Sequence, residues 1–154
     1  STGLRFFTVY GPWGRPDMAP FIFTKNIHEG KPISVFNNGN MKRDFTYIDD
    51  IIEGIVRIIF CTQKNTTAVN MNRTAIYNIG NGEPVALMDF IRSIEEALGK
   101  EAIIQYTGMQ AGDVPSTWAD CTALQRRTGF KPQTEIADGV RRFVDWYKNY
   151  MYKG

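Results

Sequence analysis

The sequence predicts an α/β fold in which a small mixed sheet packs against about five helices. Several segments place apolar residues three and four positions apart, a spacing typical of amphipathic helices. Four short runs rich in β-branched and aromatic residues are bounded by Gly, Pro or Asn, which is typical of strands. The two kinds of segment alternate along the chain, as they do in α/β and α+β proteins.

The helices are predicted from the spacing of their apolar residues. Between Leu87 and Leu98, for example, Phe90 and Ile94 fall on one face, and Gly99 is placed to end the helix. The five predicted helices cover Phe21–Glu29, Asp50–Phe60, Leu87–Leu98, Thr122–Thr128 and Glu135–Tyr150.

The four predicted strands are Leu4–Tyr10, Ile33–Phe36, Ile76–Gly80 and Ala102–Tyr106. A parallel sheet normally needs helices on both faces, and four strands are few for a complete doubly wound sheet. We therefore expect an incomplete sheet with exposed strand edges, which favours a homo-oligomer over a monomer. Residues 62–74 are polar and lack periodicity, so an exposed loop is predicted there.

Composition narrows the class of protein. The chain has 154 residues, of which 43% are apolar and 22% charged, as expected for one globular domain. A net charge of +2 with scattered basic residues does not support nucleic-acid binding. Cys61 and Cys121 are far apart and His28 is the single histidine, so no metal site or disulfide is predicted. No membrane span or secretory leader is indicated, and we expect a cytoplasmic protein.

Two segments bring charged residues next to strand ends or turns. In TVYGPWGRPDM, Arg15 and Asp17 follow a predicted strand, where ligands of open α/β sheets bind; a plain surface loop is the alternative. In NNGNMKRDFTYIDD, Arg43 lies between a turn and a helix, and its planar guanidinium suits a bidentate contact with phosphate. The alternative there is a local ion pair between Arg43 and Asp44.

A third segment, QAGDVPSTWAD, contains two aspartates with different expected roles. Asp113 follows Gly112 in a loop and has the chemistry to accept hydrogen bonds from vicinal hydroxyls, as acidic residues do with riboses. A local Asx-turn or helix cap is the alternative for Asp113. Asp120 immediately precedes a predicted helix and is expected to be such a cap.

Together these segments resemble a known family. LRFFTVYGPWGRPDMA, PISVFNNGNMKRDFTYIDDI, IYNIGNGEPVALMDFI, and GDVPSTWAD followed by TGFKP resemble the C-terminal part of extended short-chain dehydrogenase/reductase enzymes, most closely UDP-glucuronate 4-epimerases. The resemblance covers nearly the whole chain. It implies that residues 1–154 are the substrate-binding portion of an extended Rossmann-type enzyme, with one or two strands that complete the NAD-binding sheet. The N-terminal, NAD-binding half is expected to be absent and is the chain's implied partner.

The resemblance implies roles for residues near the sugar. Thr8 and Arg15 would face the sugar, Arg15 helping to neutralise the glucuronate carboxylate or the diphosphate. Phe6 would lie near the nicotinamide of NAD. The whole enzyme would interconvert UDP-glucuronate and UDP-galacturonate through a 4-keto intermediate.

The resemblance also implies how the UDP group is held. Phe36 would pack against uracil, Arg43 would bind the diphosphate, and Asp113 would hold the ribose hydroxyls. Gln110 stands where UDP-galactose epimerases have a second phosphate-binding arginine. It can supply only neutral hydrogen bonds, so part of the phosphate contact differs from that pattern.

Two motifs of the family do not occur in the sequence. There is no G-x-G-x-x-G turn to seat the NAD pyrophosphate, and none of the seven tyrosines is followed four positions later by lysine, the proton-transfer pair of the family. No catalytic residue is therefore assigned, the isolated chain is expected to be inactive, and NAD binding by it is not expected. The alternatives are a related nucleotide-sugar dehydratase, decarboxylase or N-acetylhexosamine epimerase, or a non-catalytic sugar-nucleotide-binding module.

Overall fold

The computed structural model describes residues 1–63 and 74–152, so most of the loop expected at 62–74 lies outside the described residues. The five predicted helices are all present. A π-helical turn, Tyr147–Met151, continues the last of them. The helices are α1 (Ala19–His28), α2 (Ile48–Gln63), α3 (Leu87–Leu98), α4 (Thr122–Thr128) and α5 (Ile136–Trp146).

The described residues contain eight short strands, so the prediction of four strands was wrong in number. Three parallel pairs, β1 with β6, β2 with β5 and β3 with β8, and one antiparallel pair, β4 with β7, make the arrangement mixed, as expected. The strands are β1 (Thr2–Phe6), β2 (Thr8–Tyr10), β3 (Ile33–Val35), β4 (Lys42–Arg43), β5 (Phe45–Tyr47), β6 (Ala75–Ile79), β7 (Val85–Ala86) and β8 (Ile104–Tyr106).

The predicted first strand is divided at Phe7. The Phe7 amide donates to the Ile79 carbonyl at 3.3 Å, and the Thr8 amide donates to the Asp44 carbonyl at 3.1 Å. The chain thereby leaves one parallel partner, β6, and joins another, β5. Apolar pattern cannot show this exchange, because both halves of the segment are equally rich in strand-forming residues.

Three apolar clusters hold the described elements together, and two of them join strands to helices. The larger one joins α1, α3 and α5 to β2, β3 and β5, and at its centre the rings of Phe45 and Phe90 stack with centroids 3.9 Å apart. The smaller one joins α2, β6 and α4 through Ile51, Ile79 and Leu124. Of β6 only Ile79 is fully buried. No helix within the described residues is long and apolar enough to cross a membrane.

A buried carboxylate connects three segments that are distant in the sequence. Asp44 is 0% exposed. Its Oδ1 accepts hydrogen bonds from the Asn81 amide at 2.8 Å and the Thr46 hydroxyl at 3.1 Å, and its Oδ2 accepts from the Gly82 and Ala119 amides at 2.9 Å each. Both oxygens are thus saturated by donors, which is what burial of a carboxylate requires.

We predict that Asp44→Asn destabilises the fold by at least about 2 kcal/mol, because an amide NH₂ group replaces one acceptor oxygen and faces backbone N–H groups that it cannot satisfy. Urea unfolding followed by circular dichroism measures the difference. Asp49→Asn is the matched control, since the Asp49 carboxylate is exposed and lies 3.7 Å from Arg142; it should change stability by less than about 0.5 kcal/mol. Equal stability of the two variants would contradict the structural role given to Asp44.

A second stability constraint lies where α5 crosses β2. A Cβ atom added to Gly139 would lie 2.2 Å from the Tyr10 hydroxyl oxygen, so the helix approaches this ring only because residue 139 is glycine. Burial raises the pKa of the Tyr10 hydroxyl far above its ordinary value. This hydroxyl is buried and has no hydrogen-bond partner among the described residues.

We predict that Gly139→Ala destabilises the protein by about 1–3 kcal/mol through overpacking, although alanine favours helices. Tyr10→Phe alone should cost little, because the hydroxyl that it removes makes no hydrogen bond within the described part of the chain. The double variant Gly139→Ala with Tyr10→Phe should recover part of the stability that Gly139→Ala loses. Thermal unfolding of the four proteins measures these effects, and a Gly139→Ala variant as stable as the parent would refute the close approach.

Candidate functional site

A cleft of ≈ 540 Å³ lies between α1, the ends of several strands and the loop before α4. Its volume falls in the range of small-ligand sites, about 300–1,000 Å³. Its lining combines apolar side chains with polar and charged ones. The lining residues are Thr8, Asp17, Met18, Ala19, Pro20, Ile22, Phe23, Asn26, Pro32, Ser34, Phe36, Met41, Arg43, Phe45, Leu87, Gln110 and Asp113.

Five of the seven residues singled out in the sequence line this cleft, namely Thr8, Phe36, Arg43, Gln110 and Asp113. They come from segments up to about a hundred residues apart, on β2, the turn after β3, β4 and the loop before α4. The fold therefore brings the three sequence segments to one place. The role of each residue in ligand binding stays a prediction.

Arg43 and Asp113 form the charged pair of the cleft. The Arg43 Nη2 donates to Asp113 Oδ1 at 2.7 Å, and Nη1 donates to the Lys42 carbonyl at 2.9 Å. Their side chains are 19% and 30% exposed. The alternative of a local ion pair between Arg43 and Asp44 is not what the structure shows, because the Asp44 carboxylate is occupied by backbone and hydroxyl donors.

Asp113 also makes the local contact that was its alternative explanation. Its Oδ1 accepts a hydrogen bond from the Val114 amide at 3.0 Å, so the side chain is oriented by its own loop as well as by Arg43. The prediction that Asp120 caps α4 was wrong in position, because the N-cap is Cys121; the Asp120 Oδ1 instead accepts a hydrogen bond from the Thr122 amide at 3.0 Å in a local turn that precedes the helix. The hydrogen bonds from Thr122 lower the pKa of Asp120.

Phe36 begins a 3₁₀ turn, Phe36–Gly39, at the apolar end of the cleft. Asn37 and Asn38 both adopt φ of 51°, a region that asparagine tolerates better than most residues. Phe36 is partly exposed, so a face of its ring is accessible for stacking on a planar group.

Some lining residues were not found from the sequence. Asn26 and Ser34 are the polar members of the wall near Phe36, and the Asn26 Nδ2 donates to the Pro32 carbonyl at 3.0 Å. A single polar residue on an otherwise apolar helix face was the available signal for Asn26. Ser34 alternates with two buried strand residues, Ile33 and Val35, and carries no signal of its own.

Arg15 and Phe6 do not line the cleft. The Arg15 Nε donates to Asp17 Oδ1 at 3.1 Å and its Nη2 donates to the other carboxylate oxygen, while Asp17 itself lines the cleft. The hydrogen bond from Arg15 lowers the pKa of Asp17, and the Arg15 side chain is 73% exposed. Phe6 lies at the end of β1 with half of its surface exposed. Arg43 and Asp113 therefore meet in the cleft, whereas Arg15 lies outside its lining.

The cleft has the chemistry of a binding site. A guanidinium, a carboxylate, an amide and a hydroxyl face an apolar wall, which suits a ligand with both a planar ring and an anionic, hydroxylated part. Among its described lining residues there is no lysine, tyrosine, histidine or cysteine to transfer a proton near neutral pH. Within residues 1–63 and 74–152 no group of three or more metal-ligating side chains occurs.

Comparison with known proteins identifies relatives over nearly the whole chain. Residues 1–80 match the model of the NAD dependent epimerase/dehydratase family. Protein CapI of Staphylococcus aureus is 51% identical, in an alignment that covers 99% of this chain and 48% of that protein. A probable UDP-glucuronate 4-epimerase of Rhizobium meliloti is 48% identical, over 97% of this chain and 47% of the relative.

A solved structure shares the same fold. The UDP-glucuronic acid 4-epimerase of Bacillus cereus, in complex with UDP-glucuronic acid and NAD, superposes with a TM-score of 0.82 and 35% identity, covering 95% of this chain and 44% of that one. The chain thus spans about half the length of the curated relatives that it matches.

Proposed function

Because the chain belongs to the NAD dependent epimerase/dehydratase family, we propose that it is the sugar-nucleotide-binding portion of an NAD-dependent epimerase that interconverts UDP-glucuronate and UDP-galacturonate. The observation that carries the proposal is the meeting of Arg43 and Asp113 beside Phe36 in one cleft. The similar proteins from Rhizobium meliloti and Bacillus cereus are a probable UDP-glucuronate 4-epimerase and a UDP-glucuronic acid 4-epimerase, which supports the choice of a uronate sugar.

The cleft divides naturally into regions for the parts of a uridine diphosphate. Phe36 at the apolar end packs against uracil, and Asp113 accepts hydrogen bonds from the ribose hydroxyls. Arg43 binds the diphosphate through its guanidinium, with Gln110 adding neutral hydrogen bonds. Arg43 is the one arginine among the described lining residues, so we expect this cleft to bind a diphosphate less tightly than a site with two arginines does.

The sugar is placed toward Thr8 and the loop that follows β2. The Thr8 hydroxyl lines the cleft, and Arg15 extends from the adjacent loop with its guanidinium bound to the Asp17 carboxylate. We assign Arg15 to the carboxylate of the uronate, because its two donors already hold a carboxylate in the same bidentate manner.

NAD is the cofactor of the complete enzyme under this proposal, and it supplies the oxidation and reduction of the sugar carbon. The residues of this chain do not fit its pyrophosphate, because the 154 residues contain no G-x-G-x-x-G turn at a helix N-terminus. We place NAD binding and proton transfer in a further, N-terminal portion, with Phe6 near the nicotinamide. This chain's own part is to bind the substrate and fix its orientation.

We predict that the chain binds UDP and UDP-glucuronate but not NAD, and that Arg43→Gln weakens UDP binding roughly ten- to hundred-fold, the value of a charged hydrogen bond. Isothermal titration calorimetry measures the affinity of the chain for UDP, UDP-glucuronate and NAD. Lys42→Gln is the matched control, because it removes the same charge from the neighbouring, exposed position. UDP binding that is absent, or equally weakened in both variants, would contradict the proposed site.

The chain also presents an apolar surface outside the cleft. Within the described residues β1 pairs only with β6, and Phe6, Ile76, Ile52 and Phe60 on β1, β6 and α2 are all more than half exposed. The register places Phe6 on the face of the pair that carries Ile79 and Ile76 on the opposite face, so exposed apolar side chains occur on both faces. A two-stranded parallel pair with apolar side chains exposed in this way is not typical of an isolated domain. We propose that further chain of the complete enzyme covers this surface and that the isolated chain self-associates through it.

We predict that the 154-residue chain forms a dimer or larger species and that Ile76→Lys shifts it toward monomer, because a charge then interrupts the apolar surface. Size-exclusion chromatography with light scattering measures the mass over a range of concentrations. Ile103→Lys is the control, since Ile103 is 54% exposed against 55% for Ile76 but lies next to β8. A monomeric parent at high concentration would refute self-association.

A further inference from the structure

The loop of residues 11–18 joins two walls of the cleft. It leaves β2, which carries Thr8, and enters α1 through Asp17 and Met18, which also line the cleft. Two successive turns shape it, with the Gly14 amide donating to the Gly11 carbonyl and the Met18 amide donating to the Arg15 carbonyl, each at 3.2 Å. Arg15 lies between these turns, so the conformation of the loop decides where its guanidinium is held.

Trp13 occupies an unusual backbone conformation at the tip of this loop. Its φ is 62°, a left-handed value that is uncommon for any residue but glycine and rare for a bulky one. Such a conformation persists only when surrounding contacts stabilise it. The side chain is also unusually placed, because the residue is 75% exposed and yet contacts two aromatic rings.

The rings that hold Trp13 belong to the C-terminal end of the chain. Its centroid lies 5.3 Å from that of Trp146 at an interplanar angle of 62°, and 5.9 Å from that of Tyr150 at 59°. Trp146 and Tyr150 in turn stack on each other at 6.5 Å. Trp146 is buried at the end of α5 and Tyr150 lies in the π-helical turn, so the loop is fastened to a rigid helix.

The loop's other contact is a weak one. Among residues 1–63 and 74–152, the side chains of Arg15 and Asp17 pair with each other, two residues apart, and both are mainly exposed. Such a pair contributes little to order because solvent screens it and the side chains lose entropy. The backbone turns shape the loop locally, and the contacts of Trp13 attach it to the C-terminal end of the chain, so they contribute to the position of this arginine relative to the cleft.

We propose that Trp13, Trp146 and Tyr150 form an aromatic clasp that positions loop 11–18 so that Arg15 meets the carboxylate of a sugar acid. This inference rests on the proposed function, in which the ligand of the cleft is a sugar nucleotide. Trp13 is a positioning residue that acts through Arg15. Asp17 occupies the guanidinium in the same bidentate manner as the sugar carboxylate that replaces it. The clasp thus contributes to the preference for an acidic sugar and not to the binding of UDP.

The test compares ligands that differ in the sugar acid. Trp13→Gly removes the indole ring but permits the positive φ at residue 13. Tyr150→Ala removes a ring that contacts Trp13 and leaves the sequence of the loop unchanged. Each should lower the affinity for UDP-glucuronate roughly ten-fold, the lower end for a charged hydrogen bond, and leave the affinity for UDP unchanged in calorimetry. Trp13→Phe, which retains a ring, should restore part of the difference. Tyr152→Ala is the control, because this exposed tyrosine makes an edge-to-face contact with His28 and none with the Trp13 ring.

A ligand-free measurement separates this inference from the proposed function. Heteronuclear NOE values for the amides of residues 13–15 should fall in Trp13→Gly and Tyr150→Ala but not in Tyr152→Ala. Unchanged loop order in both clasp variants, or an equal loss of affinity for UDP and UDP-glucuronate, overturns the clasp. Failure of the parent chain to bind UDP overturns the proposed function instead, and the loop-order result then still decides whether the clasp exists.

Discussion

The buried carboxylate of Asp44 is the constraint on which the cleft depends. It collects donors from β5, from the turn after β6 and from the segment before α4, and each of these segments is fixed by that contact. Gly80 belongs to the same arrangement, since a Cβ there would lie 2.9 Å from Asp44 Oδ2. A buried carboxylate is stable only when its oxygens accept hydrogen bonds, so we expect the positions of these segments to depend on one another.

This network accounts for the meeting of Arg43 and Asp113. Arg43 directly precedes Asp44 in the sequence, and Asp113 lies on the loop that ends at Ala119, whose amide binds the Asp44 carboxylate. The backbone of Lys42 adds two hydrogen bonds to the same loop, at the Pro115 carbonyl and the Thr117 amide. The hydrogen bonds between these backbone segments therefore bring the side chains of Arg43 and Asp113, seventy residues apart in the sequence, into contact.

The division between binding and chemistry follows from the same geometry. The cleft holds its polar groups on short strands, on α1 and on loops, all supported by apolar clusters, an arrangement suited to orienting a ligand. Proton transfer and the NAD pyrophosphate require residue types that the sequence lacks in the necessary spacing. The proposed role is accordingly that of the portion that recognises a sugar nucleotide for another portion to act on.

The helices were predictable because periodicity over ten or more residues is a strong signal, as in α3, whose bounds and final Gly99 agree with the structure. Strands β4, β5 and β7 were missed, since two or three residues carry no period. Residues of the cleft such as Arg43 and Asp113 were found through motifs. The sequence did not predict the pairing of Arg15 with Asp17 or the burial of Asp44, because both depend on which donors surround a carboxylate in three dimensions.

Titration of the ¹⁵N-labelled chain with UDP tests most directly whether the network around Asp44 builds one nucleotide site. Saturable shifts are predicted for the amides of Ser34, Phe36, Arg43, Gln110 and Asp113, which come from three separate segments of the chain. Shifts confined to the second cleft, beside Trp118 and Phe130, or no saturable shift at all, would contradict the account.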